Sequence, residues 1–162
     1  MKSKFRLPCI QLFVLFLVIS ITSPIYATII KIMPLGDSIT EGYEPGLSGL
    51  NMVSYRKALH DRLVEAGYDI DFVGSLTNGS AVFADSQHEG HGGWTADEIV
   101  NGRPTLPTAG KLSDWLIAES PDVILLHIGT NDIDAAQAPA GIVTEVSQIL
   151  DVIDQYETNN PA

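Results

Sequence analysis

The chain has 162 residues, and its 9 lysines and arginines stand against 20 aspartates and glutamates, which gives a formal net charge of −11 at pH 7. A nucleic-acid-binding protein generally needs a basic surface that displaces counterions from phosphate, so this charge argues against that class of protein. Hydrophobic residues make up 45% of the chain and charged residues 18%, a composition typical of one packed domain and not of a disordered chain.

Residues 1–27 have the pattern of a secretory signal peptide. The start is basic, an apolar run follows at 9–21, and Ala27 supplies a small residue for cleavage. This run is shorter than the roughly 18 to 20 apolar residues that span a bilayer, so we expect no stable membrane association after cleavage. Residues 28–162 are then the mature domain, which is expected to be secreted and extracellular. Its stability must come from packing, because the only cysteine is Cys9.

Short apolar segments alternate with helical patterns in the mature domain. The segments predicted as strands are 28–35, 69–74 and 123–128. The segments predicted as helices are 54–66, a short one that Thr95 caps, 111–119 and 139–156. The polar, glycine-rich segment 75–93 is predicted to be a long loop. Alternating strands and helices are typical of parallel βαβ units, so the sequence predicts an α/β fold.

The pattern also predicts where several side chains lie. Helix 54–66 is expected to turn Arg56 towards solvent, and the last helix is expected to bury Leu150. The nearly continuous apolar strand at 123–128 is expected to be covered on both faces, with His127 in the core. A fourth strand is expected where the sequence ends. Residues 28–162 are therefore expected to be the N-terminal part of a longer domain, with one strand edge unpaired.

Three polar motifs lie at the ends of these strands: two follow the first and third strands directly, and one follows the long loop after the second strand. They are Gly-Asp-Ser at 36–38, Gly-Gly-Trp-Thr at 92–95 and Gly-Thr-Asn-Asp at 129–132. Because the carboxyl ends of parallel strands share one edge of the sheet, we expect the three motifs to converge. A hydroxyl, an unobstructed glycine amide and a side-chain amide are the groups that attack a carbonyl and stabilise the resulting oxyanion.

The longer strings around these motifs resemble the three leading blocks of the SGNH (GDSL) hydrolases. They are IMPLGDSITEG at 32–42, GHGGWT at 90–95 and IGTND at 128–132. This resemblance implies a flavodoxin-like three-layer α/β/α fold with a parallel sheet. It also implies that Ser38 is the nucleophile and that the amides of Ser38 and Gly93 and the Asn131 side chain hold the oxyanion.

Within that family the chain is most similar to carbohydrate esterase family 3, the acetylxylan-esterase branch, through SYR at 54–56, DFVGS at 71–75 and HEGH at 88–91. This similarity implies a secreted serine esterase that removes acetyl or other short acyl groups from carbohydrate such as xylan through an acyl-enzyme. The expected substrate is an acetylated polysaccharide or a small ester, and no cofactor is expected. The alternative is a non-catalytic SGNH-like protein that binds carbohydrate.

The family's last block, Asp-x-x-His, supplies the general base and the acid that orients it. Residues 85–88 have this spacing, but they precede the second block and are not expected to be the catalytic pair. The resemblance therefore places the catalytic pair beyond Ala162 and implies that this chain alone has little activity. Asp85, His88 and His91 are too few and too local to predict a metal site.

Further residues near the predicted edge have two interpretations each. Trp94 and Tyr43 would stack on sugar rings or serve ordinary packing, and His91 would line the substrate groove or only form hydrogen bonds within its loop. Ser38 would be only a helix N-cap and Asn131 only a turn former if the site were not functional.

Two neighbouring features have structural or modification roles. Asp37 is expected to hydrogen-bond the turn that presents the serine. Asn78-Gly79-Ser80 fits an N-glycosylation acceptor in an exposed loop.

Overall fold

A computed structural model describes residues 28–161, and the predicted signal peptide at 1–27 lies outside the described residues. The strands are β1 (Ile30–Gly36), β2 (Ile70–Phe72), β3 (Glu89–Gly90) and β4 (Val123–His127). The helices are α1 (Ser38–Glu41), α2 (Ser54–Glu65), α3 (Ala96–Asn101), α4 (Leu112–Glu119), α5 (Thr130–Asp134) and α6 (Pro139–Asn159). No helix within the described range combines the length and apolarity needed to cross a membrane.

The four strands form one parallel sheet centred on β1. On one edge of β1, β2 pairs with its first half and β3 with its last two residues, Leu35 and Gly36. On the other edge β4 pairs along residues 32–36. The predicted parallel α/β fold is therefore confirmed. Strand β3 lies inside the segment predicted to be a loop, because two residues are too few to show a period of two.

The core lies between the sheet and helices α3, α4 and α6. Its fully or nearly buried apolar residues are Met33, Leu35, Val73, Trp94, Ala96, Ile99, Leu112, Trp115, Leu116 and Ile149. Helix α6 packs against both α3 and α4. Helix α4 buries Leu112, Trp115 and Leu116, whereas Leu150 of α6 is 51% exposed and the prediction that it is buried is wrong.

Strand β4 is more exposed than its apolar sequence predicts. Val123 is 40% exposed, and His127 is exposed instead of lying in the core. Within residues 28–161 the only partner of β4 is β1, so the outer edge of β4 is open, as expected. An apolar run therefore predicted the strand correctly and its burial wrongly.

Arg56 is fully buried, whereas helical periodicity predicts that it faces solvent. Its guanidinium donates to five backbone carbonyls, those of Thr40 (2.9 Å), Glu41 (3.1 Å), Met52 (2.8 Å), Asn78 (2.9 Å) and Ser86 (2.6 Å). Burial lowers the pKa of Arg56 to about 10, so the group is still charged at neutral pH. Arg56 thus ties α1 to three separate segments that cover this face of α2.

Candidate active site

The three motifs predicted to converge do so in one open cleft of about 410 Å³. The residues that line this cleft, called the nucleophile cleft below, are Ser38, Glu41, Tyr43, Gly92, Gly93 and Asn131. They come from α1 after β1, from the turn after β3 and from α5 after β4. The convergence follows from the sheet, since the carboxyl ends of these parallel strands lie side by side.

Ser38 is the first residue of α1, and Asp37 is its N-cap. The buried carboxylate of Asp37 accepts a hydrogen bond from the backbone N–H of Ile39 at 2.9 Å. Asp37 therefore has the structural role expected from the sequence. Because Asp37 occupies the capping position, the side chain of Ser38 is not the helix cap and remains partly exposed at the cleft.

Two backbone carbonyls, those of Gly93 and Trp94, hold the turn that carries Gly93. Gly93 has a φ of +76°, a left-handed conformation that favours glycine. Its carbonyl accepts from Arg103, which also forms a 2.6 Å ion pair with Glu98. The next carbonyl, that of Trp94, accepts from Nδ2 of Asn131 at 2.7 Å. These contacts fix the conformation of the turn relative to α5.

Asn131 is placed by the first turn of α5. Gly129, with a φ of +113°, lets the chain leave β4 and enter this helix. The buried carboxylate of Asp132 then accepts from the N–H of Ala96 at 3.0 and 3.2 Å, which ties α5 to the start of α3. An asparagine amide has two hydrogens, and only one is used by the Trp94 carbonyl. Asp132 belongs to the third motif, but its position in the sequence gives no sign of this contact.

Glu41 is a further cleft residue that sequence analysis missed. Its Oε1 accepts from Nδ2 of Asn78 at 3.3 Å, and its Oε2 lies directly against the backbone of Gly92, where a Cβ would overlap it. Burial raises the pKa of Glu41, while the charges of His91 and Arg56 act in the opposite direction. Asn78 is half-buried, whereas its neighbours Thr77 and Ser80 are exposed, so the expected exposed loop is present and glycosylation of Asn78 stays a prediction.

Trp94 and His91 lie in the core and do not line the cleft. Trp94 is 1% exposed and His91 is 6% exposed. The His91 ring stacks against Trp94 and against Trp115, with centroid distances of 4.4 and 4.6 Å, and the two tryptophan rings are themselves 6.0 Å apart. Its Nε2 lies 2.8 Å from Oε2 of Glu89. The structure thus corrects the prediction that these two residues contact substrate. Tyr43, which is 59% exposed at the cleft, stays a candidate.

Residues 85–88 do not form an acid–base pair. The carboxylate of Asp85 accepts from the Phe72 N–H at 3.0 Å and lies 3.4 Å from Nε2 of His60. His88 is fully buried, and its Nδ1 accepts from the N–H of Gly90 at 2.9 Å. None of the residues that line the nucleophile cleft in the described part of the chain is a histidine.

A second cleft, of about 340 Å³, also borders Ser38. This second cleft is lined by Ser38, Ile39, Gly42, Tyr43, Glu44, Leu47, Asn51, Val53 and Ser54. Ser38 and Tyr43 belong to both clefts. Ser38 therefore borders two open spaces, which could hold parts of an ester whose carbonyl lies at its hydroxyl.

The buried imidazole of His88 predicts a loss of stability in acid. Burial lowers its pKa from 6.5 to about 3, so the folded chain keeps it neutral while the unfolded chain binds a proton below about pH 6.5. The free energy of unfolding should therefore fall by about 2 kcal/mol between pH 6.5 and pH 5 on account of this group.

Urea unfolding at pH 7 and pH 5 measures this effect when the chain is compared with His88→Asn, whose side-chain oxygen can still accept from Gly90. The pH dependence should be smaller in His88→Asn, whereas His127→Asn at the exposed histidine should behave like the unmodified chain. Equal losses of stability in all three proteins would contradict the assignment.

Comparison with known proteins gives one consistent result. Residues 35–161 match the model of the GDSL-like lipase/acylhydrolase family. The chain is 34% identical over 145 residues to a multidomain esterase of Ruminococcus flavefaciens, with 81% of this chain and 18% of that protein covered.

Solved structures show the same likeness. A family 3 carbohydrate esterase of Clostridium thermocellum has 35% identity and a TM-score of 0.58, with 83% of this chain and 70% of that chain covered. A family 3 carbohydrate esterase from Talaromyces cellulolyticus has 26% identity and a TM-score of 0.59, with 82% and 58% covered.

Proposed function

The chain belongs to the GDSL-like lipase/acylhydrolase family, and on that premise we propose that it is a carboxylic ester hydrolase with Ser38 as its nucleophile. One observation carries this proposal: Ser38, Gly93 and Asn131, which are far apart in the sequence, line one cleft. A hydroxyl, a backbone N–H and a carboxamide are together what acyl transfer requires.

In the proposed reaction, Oγ of Ser38 attacks the ester carbonyl. The N–H groups of Ser38 and Gly93 and Nδ2 of Asn131 donate to the oxygen that becomes negative. Collapse of this intermediate releases the alcohol and leaves an acyl-enzyme on Ser38, which water then hydrolyses to the acid. The resemblance assigns the proton transfer to the histidine of an Asp-x-x-His block.

The proposed substrate is an acetylated carbohydrate such as xylan, or a small acetyl ester. The structural neighbour of 35% identity, a family 3 carbohydrate esterase, supports this class. Ser38 borders two open clefts, which suits an acyl group joined to a bulky alcohol, and exposed Tyr43 lines both of them and offers an aromatic surface to a sugar ring. We propose secretion as well, on the basis of the signal-like pattern at residues 1–27.

The second candidate function is carbohydrate binding without catalysis. In this alternative the cleft with exposed Tyr43 would hold a sugar, and Ser38 would not accept an acyl group. Acetate release from acetylated xylan by the natural full-length protein separates the two candidates. If the protein is an esterase, we expect acetate to be released. Binding to acetylated xylan without release of acetate would favour a non-catalytic carbohydrate-binding protein.

Asn131→Ala should lower kcat for p-nitrophenyl acetate by about 10² to 10³-fold, because one donor to the oxyanion is lost. KM should change little, since this donor acts mainly on charge that develops in the transition state. Steady-state kinetics of the full-length protein measure both constants.

Asn101→Ala, at an exposed asparagine whose amide bonds only to Asp97, is the matched control and should keep the original kcat. An Asn131→Ala variant as fast as this control would remove Asn131 from the proposed oxyanion site.

A further inference from the structure

The guanidinium of Arg103 lies directly against Gly93, although Arg103 belongs to a different segment, just after α3. Its Nη2 donates a hydrogen bond to the carbonyl oxygen of Gly93. A Cβ built on Gly93 would lie 3.9 Å from both Nη1 and Nη2 of Arg103. The guanidinium carbon also lies 5.5 Å from the centre of the Trp94 ring. These observations together place the cation beside the turn that carries the proposed oxyanion donor.

Glu98 of α3 holds the guanidinium in this orientation. Its Oε1 accepts from Nε of Arg103 at 2.7 Å and its Oε2 accepts from Nη2 at 2.6 Å, so the ion pair is bidentate. Oε2 also accepts from the N–H of Thr95 at 3.0 Å, which fixes the carboxylate at the start of the helix. The hydrogen bonds from Arg103 lower the pKa of Glu98, so the carboxylate is ionised at neutral pH.

The turn needs a support at Gly93 because glycine has the most flexible backbone of all residues. An oxyanion donor is most effective when it is already oriented before the charge develops. The two ends of the turn are fixed by backbone bonds: the N–H of His91 donates to the carbonyl of Gly36 at 2.8 Å, and the N–H of Trp94 donates to the carbonyl of His91 at 3.1 Å. Between these ends, the hydrogen bond from Arg103 restrains Gly93 itself.

Neither substrate binding nor stability alone accounts for this arrangement. Arg103 lines neither of the two clefts that the described residues form beside Ser38. The side chains of Arg103 and Glu98 are 23% and 22% exposed, and an ion pair at a partly exposed surface usually adds little to stability. The feature that remains is the hydrogen bond to the Gly93 carbonyl.

We infer that Arg103, oriented by Glu98, is a positioning residue that keeps Gly93 in the conformation in which its N–H serves the oxyanion. This inference rests on the proposed ester hydrolysis, in which Gly93 has that role. It assigns to Arg103 no contact with the reacting atoms. It requires that donation to the Gly93 carbonyl matters, and not only the positive charge.

The test uses four variants of the natural full-length protein. Arg103→Met removes the charge and the donor, whereas Arg103→Lys keeps the charge and one donor that can reach the Gly93 carbonyl. Glu98→Gln keeps Arg103 but removes the charge that orients it. Arg62→Met, at an exposed arginine of α2, is the control for the loss of a positive charge.

Steady-state kinetics give the first readout. We expect Arg103→Met to lower kcat for p-nitrophenyl acetate about tenfold with KM within about twofold, because the donor at Gly93 is loosened but not removed. Arg103→Lys should regain most of the rate, and Arg62→Met should keep the original rate. Glu98→Gln should lower kcat about threefold, and it should add nothing to Arg103→Met because Glu98 acts through Arg103.

The carbonyl carbon of Gly93 gives the second readout, which does not depend on turnover. Gly93-Trp94 is the only glycine–tryptophan pair among residues 1–162, so a ¹³C label on glycine carbonyls and a ¹⁵N label on tryptophan amides select this peptide in that part of the chain. A carbonyl carbon resonates at lower field when its oxygen accepts a hydrogen bond. The signal should therefore move upfield in Arg103→Met and return towards its original position in Arg103→Lys.

Three results would overturn the inference: an unchanged kcat in Arg103→Met, an unmoved Gly93 signal in that variant, or an equal fall in kcat in Arg62→Met. If Arg103→Met does not fold, Glu98→Gln decides, and an unchanged kcat and signal there would overturn it. Failure of the proposed function gives a different result, namely no hydrolysis by the unmodified protein. The carbonyl signal then decides by itself whether Arg103 holds Gly93.

Discussion

Ser38→Ala is expected to abolish ester hydrolysis by the full-length protein, with a loss in kcat on the order of 10⁶-fold. The loss is large because the variant cannot form the acyl-enzyme, while the amides of the cleft still bind the carbonyl oxygen. KM should therefore change much less than kcat. Release of p-nitrophenol from p-nitrophenyl acetate and of acetate from acetylated xylan measure the same effect on two substrates.

The matched control is Ser147→Ala on α6, where the hydroxyl is exposed and donates only to the carbonyl of Val143. That variant should keep the rate of the unmodified protein. Turnover by Ser38→Ala at a comparable rate would show that another group is the nucleophile, and the oxyanion assignments for Gly93 and Asn131 would lose their basis.

Arg56→Met should give the largest loss of stability, about 3 to 5 kcal/mol in the free energy of unfolding. Methionine removes the donors of five hydrogen bonds and leaves their buried carbonyl oxygens without that partner. Two of those carbonyls belong to α1, so the helix that presents Ser38 should also loosen. Urea unfolding monitored by circular dichroism measures the change.

Arg62→Met, at an exposed arginine of the same helix, controls for the loss of charge and should cost less than about 1 kcal/mol. Arg56→Lys keeps the charge with fewer donors, so its stability should lie between those of the unmodified chain and Arg56→Met. If Arg56→Met fails to fold, Arg56→Lys still gives a measurable loss. If Arg56→Lys is as stable as Arg62→Met, the hydrogen bonds of the buried Arg56 guanidinium do not contribute measurably to the free energy of unfolding.

The sequence predicted the sheet and the convergence of the motifs because both depend on local patterns. An apolar run such as that of β4 predicts a strand, and polar residues just after parallel strands must lie at one edge of the sheet. Ser38, Gly93 and Asn131 could therefore be assigned to one cleft without coordinates. The same patterns do not say which chain segment covers a given face.

The wrong predictions for Arg56 and Trp94 arise because local sequence patterns do not show which chain segment covers a side chain. Arg56 has the spacing of a solvent-facing residue, but the segments at Met52, Asn78 and Ser86 fold over it. Trp94 follows the glycine turn directly and still points into the core, where it packs beside His91. The periodicity of apolar residues does not show which distant segments of the chain will bury a given side chain.

The missed residues of the site act through tertiary contacts. Glu41 lies inside the first motif, but its contacts are with Asn78 and Gly92, which reach it only in the folded chain. Asp132 follows Asn131 directly, yet its partner is the Ala96 N–H in another helix. Neither contact has a signature in sequence spacing, whereas a capping interaction such as that of Asp37 does.

The most direct test of the central claim is a crystal structure of the full-length protein after reaction with a phosphonate ester, whose tetrahedral phosphorus resembles the intermediate of acyl transfer. The account predicts phosphorus bonded to Oγ of Ser38 and one phosphoryl oxygen within about 3 Å of the Ser38 N–H, the Gly93 N–H and Nδ2 of Asn131. A phosphonate bonded to another residue, or one with that oxygen turned away from Gly93 and Asn131, would contradict it.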